Sequence, residues 1–293
     1  MRSLSTLVLL FFYLTASAEL PDWWKELHRW DGVTEWSNYM NYTTAFFGPN
    51  ALPVPEQSDA RIAEKHNMEL SSDVFWGFGD ETQSLSTKFT YSFIPGKLAV
   101  SVWGVIAEHY KTSIEVRDQR ASLIENPEET IYIGDFYIST QIGILREKKI
   151  LPDINFEIVL KTASSGRPWG ARFFDTPGYY FNLTSGKSFK FEHSFLDEIR
   201  LSGNFGFLSY QTNTAYQNDA PLYGAMLSLV SNKFSWENGI GGYSGWLEQG
   251  DMPLVLRSKL LFKSKQMNYF IQYQHSLRDY PFRRLQTGAS FDF

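Results

Sequence analysis

Cysteine is absent from all 293 residues. That excludes disulfides, cysteine-ligated metal sites and a lipid-modified cysteine anchor. Long apolar runs are missing as well. Mean hydropathy is −0.28, and past residue 18 no segment approaches the ~18 consecutive apolar residues of a spanning helix. Helical membrane spans are therefore excluded. Positive charge is in deficit: 27 Lys and Arg stand against 32 Asp and Glu, a net −5. Nucleic-acid binding needs clustered basic charge, so no nucleic-acid partner is expected. Helical periodicity is the last absence, with no run at 3.6-residue spacing found after residue 66.

Aromatic side chains are abundant, with 24 Phe, 16 Tyr and 9 Trp. The first residues are those of an export signal. Arg2 is basic, Leu7–Leu14 is apolar, and Ala16-Ser17-Ala18 is an A-x-A cleavage site, too short in all to span as a helix. Residues 1–18 read as a signal peptide cleaved after Ala18. Without Arg2 the exported chain carries 26 basic against 32 acidic residues, a net −6.

From about residue 66 the chain alternates with period two in segments of roughly 9–14 residues, the length of a tilted membrane-crossing strand. Leu85, Phe89, Tyr91 and Phe93 alternate with Ser86, Lys88, Thr90 and Ser92. Phe156, Ile158 and Leu160 oppose Asn155, Glu157 and Lys161. Tyr269, Ile271, Tyr273 and Leu277 oppose Gln272, Gln274, Ser276 and Arg278. Twelve such segments lie near 66–79, 82–94, 98–110, 130–146, 153–164, 177–190, 198–211, 220–231, 233–248, 253–264, 267–280 and 284–293. Tight turns at Pro95-Gly96-Lys97, Ser231-Asn232-Lys233 and Ser264-Lys265-Gln266 alternate with longer polar stretches at 111–129 and 165–176.

The last segment is the most telling. Leu285, Thr287, Ala289, Phe291 and Phe293 share one face, with Gln286, Gly288, Ser290 and Asp292 on the other. This aromatic closing strand resembles the insertion signal of Gram-negative outer-membrane β-barrel proteins, and Phe291 and Phe293 are its signal residues. The resemblance covers nearly the whole exported chain as a pattern, without a family-specific motif. It implies an all-β fold: a transmembrane antiparallel up-and-down β-barrel of about 12 strands (10–14), residues 66–293, in the cell outer membrane. Short turns would face the periplasm and long loops the outside. Outer-membrane lipid and the barrel-insertion machinery are the partners it implies. An even strand count would leave the start of the barrel on the periplasmic side.

Residues 19–65 form a non-barrel aromatic and helical segment. Asp22 is a candidate N-cap, and Trp23, Leu27 and Trp30 fall on one helical face. Beyond them the chain is irregular and proline-rich through Phe46–Pro55. Such backbone cannot cross lipid, so it plugs the lumen, rests on the periplasmic rim or stays loose. Trp23, Trp24, Leu27, Trp30 and Trp36 are the candidate plug or interface residues. The segment resembles the hatch of fatty-acid-type channel barrels, which have more strands.

With the apolar face to lipid, Lys88, Asp135, Glu157, Lys161, Arg200, Glu237, Arg257, Lys259, Arg278 and Asp292 are expected to line the lumen. Two readings stay open: paired charges filling a narrow barrel, or a water-filled path for small solutes with a mild anion preference. Among the histidines only His109, near the outer end of the third strand, is placed for outer-leaflet lipid hydrolysis. No G-x-S-x-G motif accompanies it, so no catalytic residue, metal ligand or cofactor is assigned. Ser165–Gly170 begins a loop that an inward fold would turn into a constriction. Three functions follow in order: a passive pore or transporter gated by the N-terminal segment, a non-conducting structural or assembly component docking a periplasmic or membrane protein partner, and an outer-leaflet lipid hydrolase.

Overall fold

The computed structural model describes residues 19–165, 168–192, 195–213, 216–265 and 267–293. The expected signal peptide, residues 1–18, lies outside the described residues. A short helix α1 (Asp22–Leu27) and a 3-10 turn (Trp36–Tyr39) precede the strands. The first strands are β1 (Asn67–Gly77), β2 (Asp80–Ile94) and β3 (Leu98–Thr112). Helix α2 (Ile114–Gln119) follows, then β4 (Glu128–Tyr132), β5 (Phe136–Leu145), β6 (Asp153–Lys161) and β7 (Gly178–Lys190). The remainder are β8 (Glu198–Asn213), β9 (Tyr216–Val230), β10 (Phe234–Tyr243), β11 (Leu254–Phe262), β12 (Met267–Arg278) and β13 (Arg283–Asp292).

Every neighbouring pair is antiparallel, and β1 pairs with β13 from Asn67↔Asp292 to Trp76↔Arg283, which closes the sheet. β4 and β5 both pair with β3, at its two ends. They are one broken stave, so the barrel has twelve positions. Closure removes the edges that lipid could not satisfy. α2 is a helical turn that periodicity did not reveal. It is a single loop turn capped by Ser113, whose hydroxyl accepts from the Val116 N–H at 3.3 Å, and so is too short to carry a periodic signal.

Alternation sorts the faces. On β1, Met68, Leu70 and Val74 are exposed while Ser71 and Asp73 are buried, an apolar exterior around a polar interior. Aromatic rings gather on the short-turn rim beside the seam. His66 stacks on Tyr91 at 4.3 Å, and Phe291 stacks on Phe293 at 5.7 Å. Both signal phenylalanines stand outward and exposed there.

Candidate functional site

Residues 19–65 run the length of the lumen. Their ends are fixed by hydrogen bonds to opposite rims. At the long-loop end the Trp24 indole N–H donates to Ala121 O (3.0 Å), and the Thr43 and Thr44 hydroxyls donate to Gln249 O (2.8 Å) and Gly250 O (3.0 Å). Gly48 N–H donates to Ala171 O at 2.8 Å. At the short-turn end Ala63 O accepts from the Ser92 hydroxyl (2.8 Å), and Arg146 pairs with Glu64 at 2.8 Å. The segment reaches the rim opposite to the one at which β1 begins.

Between the rims, arginines from the wall hold its backbone. Arg257 donates to Val54 O (2.6 Å), Pro55 O (3.0 Å) and the Gln57 side chain (3.2 Å). Arg200 donates to Asp59 O at 2.8 Å, and Arg284 bridges Glu56 (3.2 Å) and Asp73 (2.6 Å). Irregular backbone offers unpaired carbonyls, and a guanidinium fork supplies several donors at once. The Glu56 carboxylate pairs with Arg284 and accepts from the Gln272 amide at 3.3 Å. Glycine makes room for the close approach: a Cβ on Gly224 would meet Gln57 Cγ at 2.8 Å, and one on Gly241 would collide with its amide.

The upper lumen is packed. Trp24, Phe47, Leu52 and Val54 are buried against Tyr137, Tyr180, Tyr210 and Tyr243 from the wall. Residues 171–174 of the loop before β7 fold inward as well. They bring Arg172, 2% exposed, to Asp80 (2.6 Å), Glu108 (2.9 Å) and the Thr82 hydroxyl (2.6 Å). Arg120 shares Asp80 at 2.6 Å, and Glu108 also accepts from the Asn50 amide at 2.6 Å. One buried network thus ties two loops, two strands and the N-terminal segment together. Burial works against the Arg172 charge, yet Asp80 and Glu108 hold its pKa above the ordinary guanidinium value.

Of the expected lumenal residues, Arg200, Arg257, Lys259, Glu237, Glu157 and Lys88 face the interior, with Lys259 over the Phe270 ring at 4.2 Å and Gln141 donating to Glu157 at 2.9 Å. Asp292 lies inward at the short-turn mouth beside Asn67. Asp135 and Lys161 form a buried pair at 2.6 Å instead of lining open space. Arg278 requires correction. A register shift sets it opposite Leu254, and it lies exposed at the rim, reaching Met252 O and the Tyr223 hydroxyl. A bulge adds one residue and reverses the faces beyond it.

The helical face also differs. Pro21, not Asp22, is the N-cap. α1 ends at Leu27, which is exposed, so Trp30 lies past the helix, with its indole N–H on Thr34 O. The docked side chain is Trp24, packed on His28 at 4.7 Å and Tyr39 at 5.3 Å. Trp23 carries Arg117 on its ring at 4.2 Å, and Trp36 packs at the edge of the same cluster. His109 faces outward and meets Glu128 at 3.7 Å, on the opposite face of β3 from its neighbour Glu108 of the buried network. Arg167 and His193 lie outside the described residues. Asp80, Glu108, Arg120 and Arg172 escaped the sequence reading. The signal for Glu108 was hidden by the β2–β3 register shift at Leu85/Ser86, which brings it inward.

At the short-turn end Glu147 accepts from Ser188 N–H (3.0 Å) and from Arg200 (2.9 Å), and lies 3.2 Å from the Lys187 ammonium. Burial alone would raise its pKa, but these contacts lower it from 4.5 to about 2. A depressed carboxyl stabilises the fold above its unfolded pKa and loses that contribution as pH falls through the folded value. The melting-temperature gap between wild type and Glu147→Gln should be full at neutral pH and shrink between about pH 4.5 and 2. A gap independent of pH would show that the carboxylate charge contributes nothing.

A closed twelve-position antiparallel barrel, apolar outside and polar within, defines the fold of a transmembrane β-barrel. No protein-family model matches the chain, and no curated protein matches it in sequence. Solved structures share the fold. An outer-membrane channel from Pseudomonas putida F1 superposes with a TM-score of 0.54 at 11% identity, over 82% of this chain and 100% of that one. The NanC porin superposes with a TM-score of 0.50 at 8% identity, over 77% of this chain and 100% of that one.

Proposed function

We propose that the protein is a passive outer-membrane pore for small solutes, closed in this state by its own N-terminal segment. The observation that carries the reading is the manner of closure. Through the middle of the lumen residues 54–59 are held by hydrogen bonds from Arg257 and Arg200 and by the Arg284–Glu56 pair. Such contacts exchange readily for water, unlike a continuous apolar core. The wall behind them carries charges of both signs, which would line a hydrated path once the segment moved. Two likenesses to channel and porin structures support the reading through the fold alone.

A second reading, a non-conducting anchor, draws on the upper lumen, where Trp24, Phe47, Leu52 and Val54 are at most 3% exposed. Planar-bilayer conductance separates the two. The full chain should be nearly silent, and a variant lacking residues 19–60 should open stepwise conductance. A truncated barrel that inserts, keeps its heat-modifiable mobility and still passes no current would sink the pore reading and leave the anchor.

A further inference from the structure

The strap at residues 60–64 divides the short-turn end of the lumen into two open cavities, and their charges differ. One, of about 530 Å³, is lined by Arg61, Lys65 and Lys88 against Glu64, Glu69 and Asp292, an even balance. The other, of about 610 Å³, lies between the strap and the 146–152 turn. Its acidic groups are Glu64, Glu147 and Asp153, and each is already neutralised. Arg146 holds Glu64 at 2.8 Å, while the buried Arg200 holds Asp153 at 2.7 Å and shares Glu147 (2.9 Å) with the Lys187 ammonium (3.2 Å). Lys148, Lys149 and Lys190 line the same cavity, and no acid pairs with them among the described residues. The turn that carries two of them is ordered from beneath: the Lys187 ammonium donates to Lys148 O, Lys149 O (3.2 Å) and Leu151 O (3.2 Å). A chain that is acidic as a whole thus keeps an uncompensated positive cluster at one concave place.

We propose that this cavity is a binding vestibule for small anionic solutes bearing carboxylate or phosphate groups. The inference rests on the pore reading and names the solute class. A concave site of one charge sign raises the local concentration of counter-ions and speeds their capture. Ammonium groups on flexible stems suit anions of varied shape, because they act as point charges without the fixed fork of a guanidinium. The neighbouring balanced cavity offers no such field and serves as the internal contrast.

The test is titration calorimetry of the purified full-length barrel with inorganic pyrophosphate, then with citrate. Wild type should bind both saturably, and Lys149→Glu/Lys190→Glu should weaken each by about tenfold or more. These lysines are exposed and pair with no acid among the described residues, so the double variant should retain its heat-modifiable mobility. Lys233→Glu/Lys265→Glu changes net charge equally on other short turns and should bind as wild type does. Equal weakening by both double variants, or no binding by wild type, overturns the proposal. Reversal potentials in a potassium chloride gradient keep its failure apart from that of the pore reading. Binding by the full chain with no current even from the variant lacking residues 19–60 removes the pore but keeps the site, whereas cation-preferring current from that variant with no binding by the full chain removes the site but keeps the pore.

Discussion

Replacing Arg172 with methionine should cost the barrel about 3–5 kcal/mol of unfolding free energy, the usual penalty for removing one partner of a buried ion pair. Its guanidinium lies within 2.6 Å of Asp80 and 2.9 Å of Glu108, and both carboxylates are essentially excluded from solvent. Arg120 would still reach Asp80, but Glu108 would keep only the Asn50 amide. Methionine fills most of the volume, so the loss reports charge and hydrogen bonding more than a cavity. Adding Glu108→Gln to Arg172→Met should restore a large part of the loss, because it removes the stranded charge. Urea unfolding in detergent measures both steps. A loss below about 1 kcal/mol would mean the network is solvated and holds little. The same substitution frees the loop on which Gly48 docks and unpairs Glu108, which holds Asn50, so it should also raise the open probability in bilayers.

The second large effect concerns topology. In intact cells a cysteine at Val33 should react with a membrane-impermeant maleimide, and one at Lys265 should react only after the outer membrane is permeabilised. Val33 is 89% exposed near the long-loop rim, in the stretch between Trp24 and Thr43 that docks there. Lys265 lies in a short turn, and short turns face the periplasm. The natural chain has no cysteine, so the background is empty. Labelling at both positions only after permeabilisation would mean that the N-terminal segment rests on the periplasmic rim and does not thread the lumen. The result is close to all-or-none, since no intermediate position of Val33 puts it on both sides.

The two places where face assignment failed share a cause. Period-two alternation correctly placed Arg257, Arg200, Lys259 and Glu237 inside, because a strand alternates whatever its surroundings. It failed at Arg278 and passed over Glu108, each lying just beyond a register shift. A bulge is decided by how two strands meet, and neither strand alone announces it. The helix was misjudged differently. The pattern of Trp23, Leu27 and Trp30 is a genuine helical face, yet six residues in a loop environment pack where the neighbours permit, and that was through Trp24.

The sequence by itself determined the membrane class, the near count of twelve strands, the polar interior and the non-barrel character of residues 19–65. These follow from local rules: alternation, turn chemistry, and the exclusion of unpaired backbone from lipid. Only the tertiary structure decided that this segment threads the barrel, that Arg172 turns inward onto Asp80 and Glu108, and that Arg146, Arg200 and Lys187 take up the acids of one vestibule while Lys148, Lys149 and Lys190 pair with no acid among the described residues. Those partners lie tens to hundreds of residues apart, 92 for Arg172 and Asp80 and 203 for Arg257 and Val54. No local periodicity encodes such pairings, because they exist only once the closed barrel fixes which side chains face one another across the lumen.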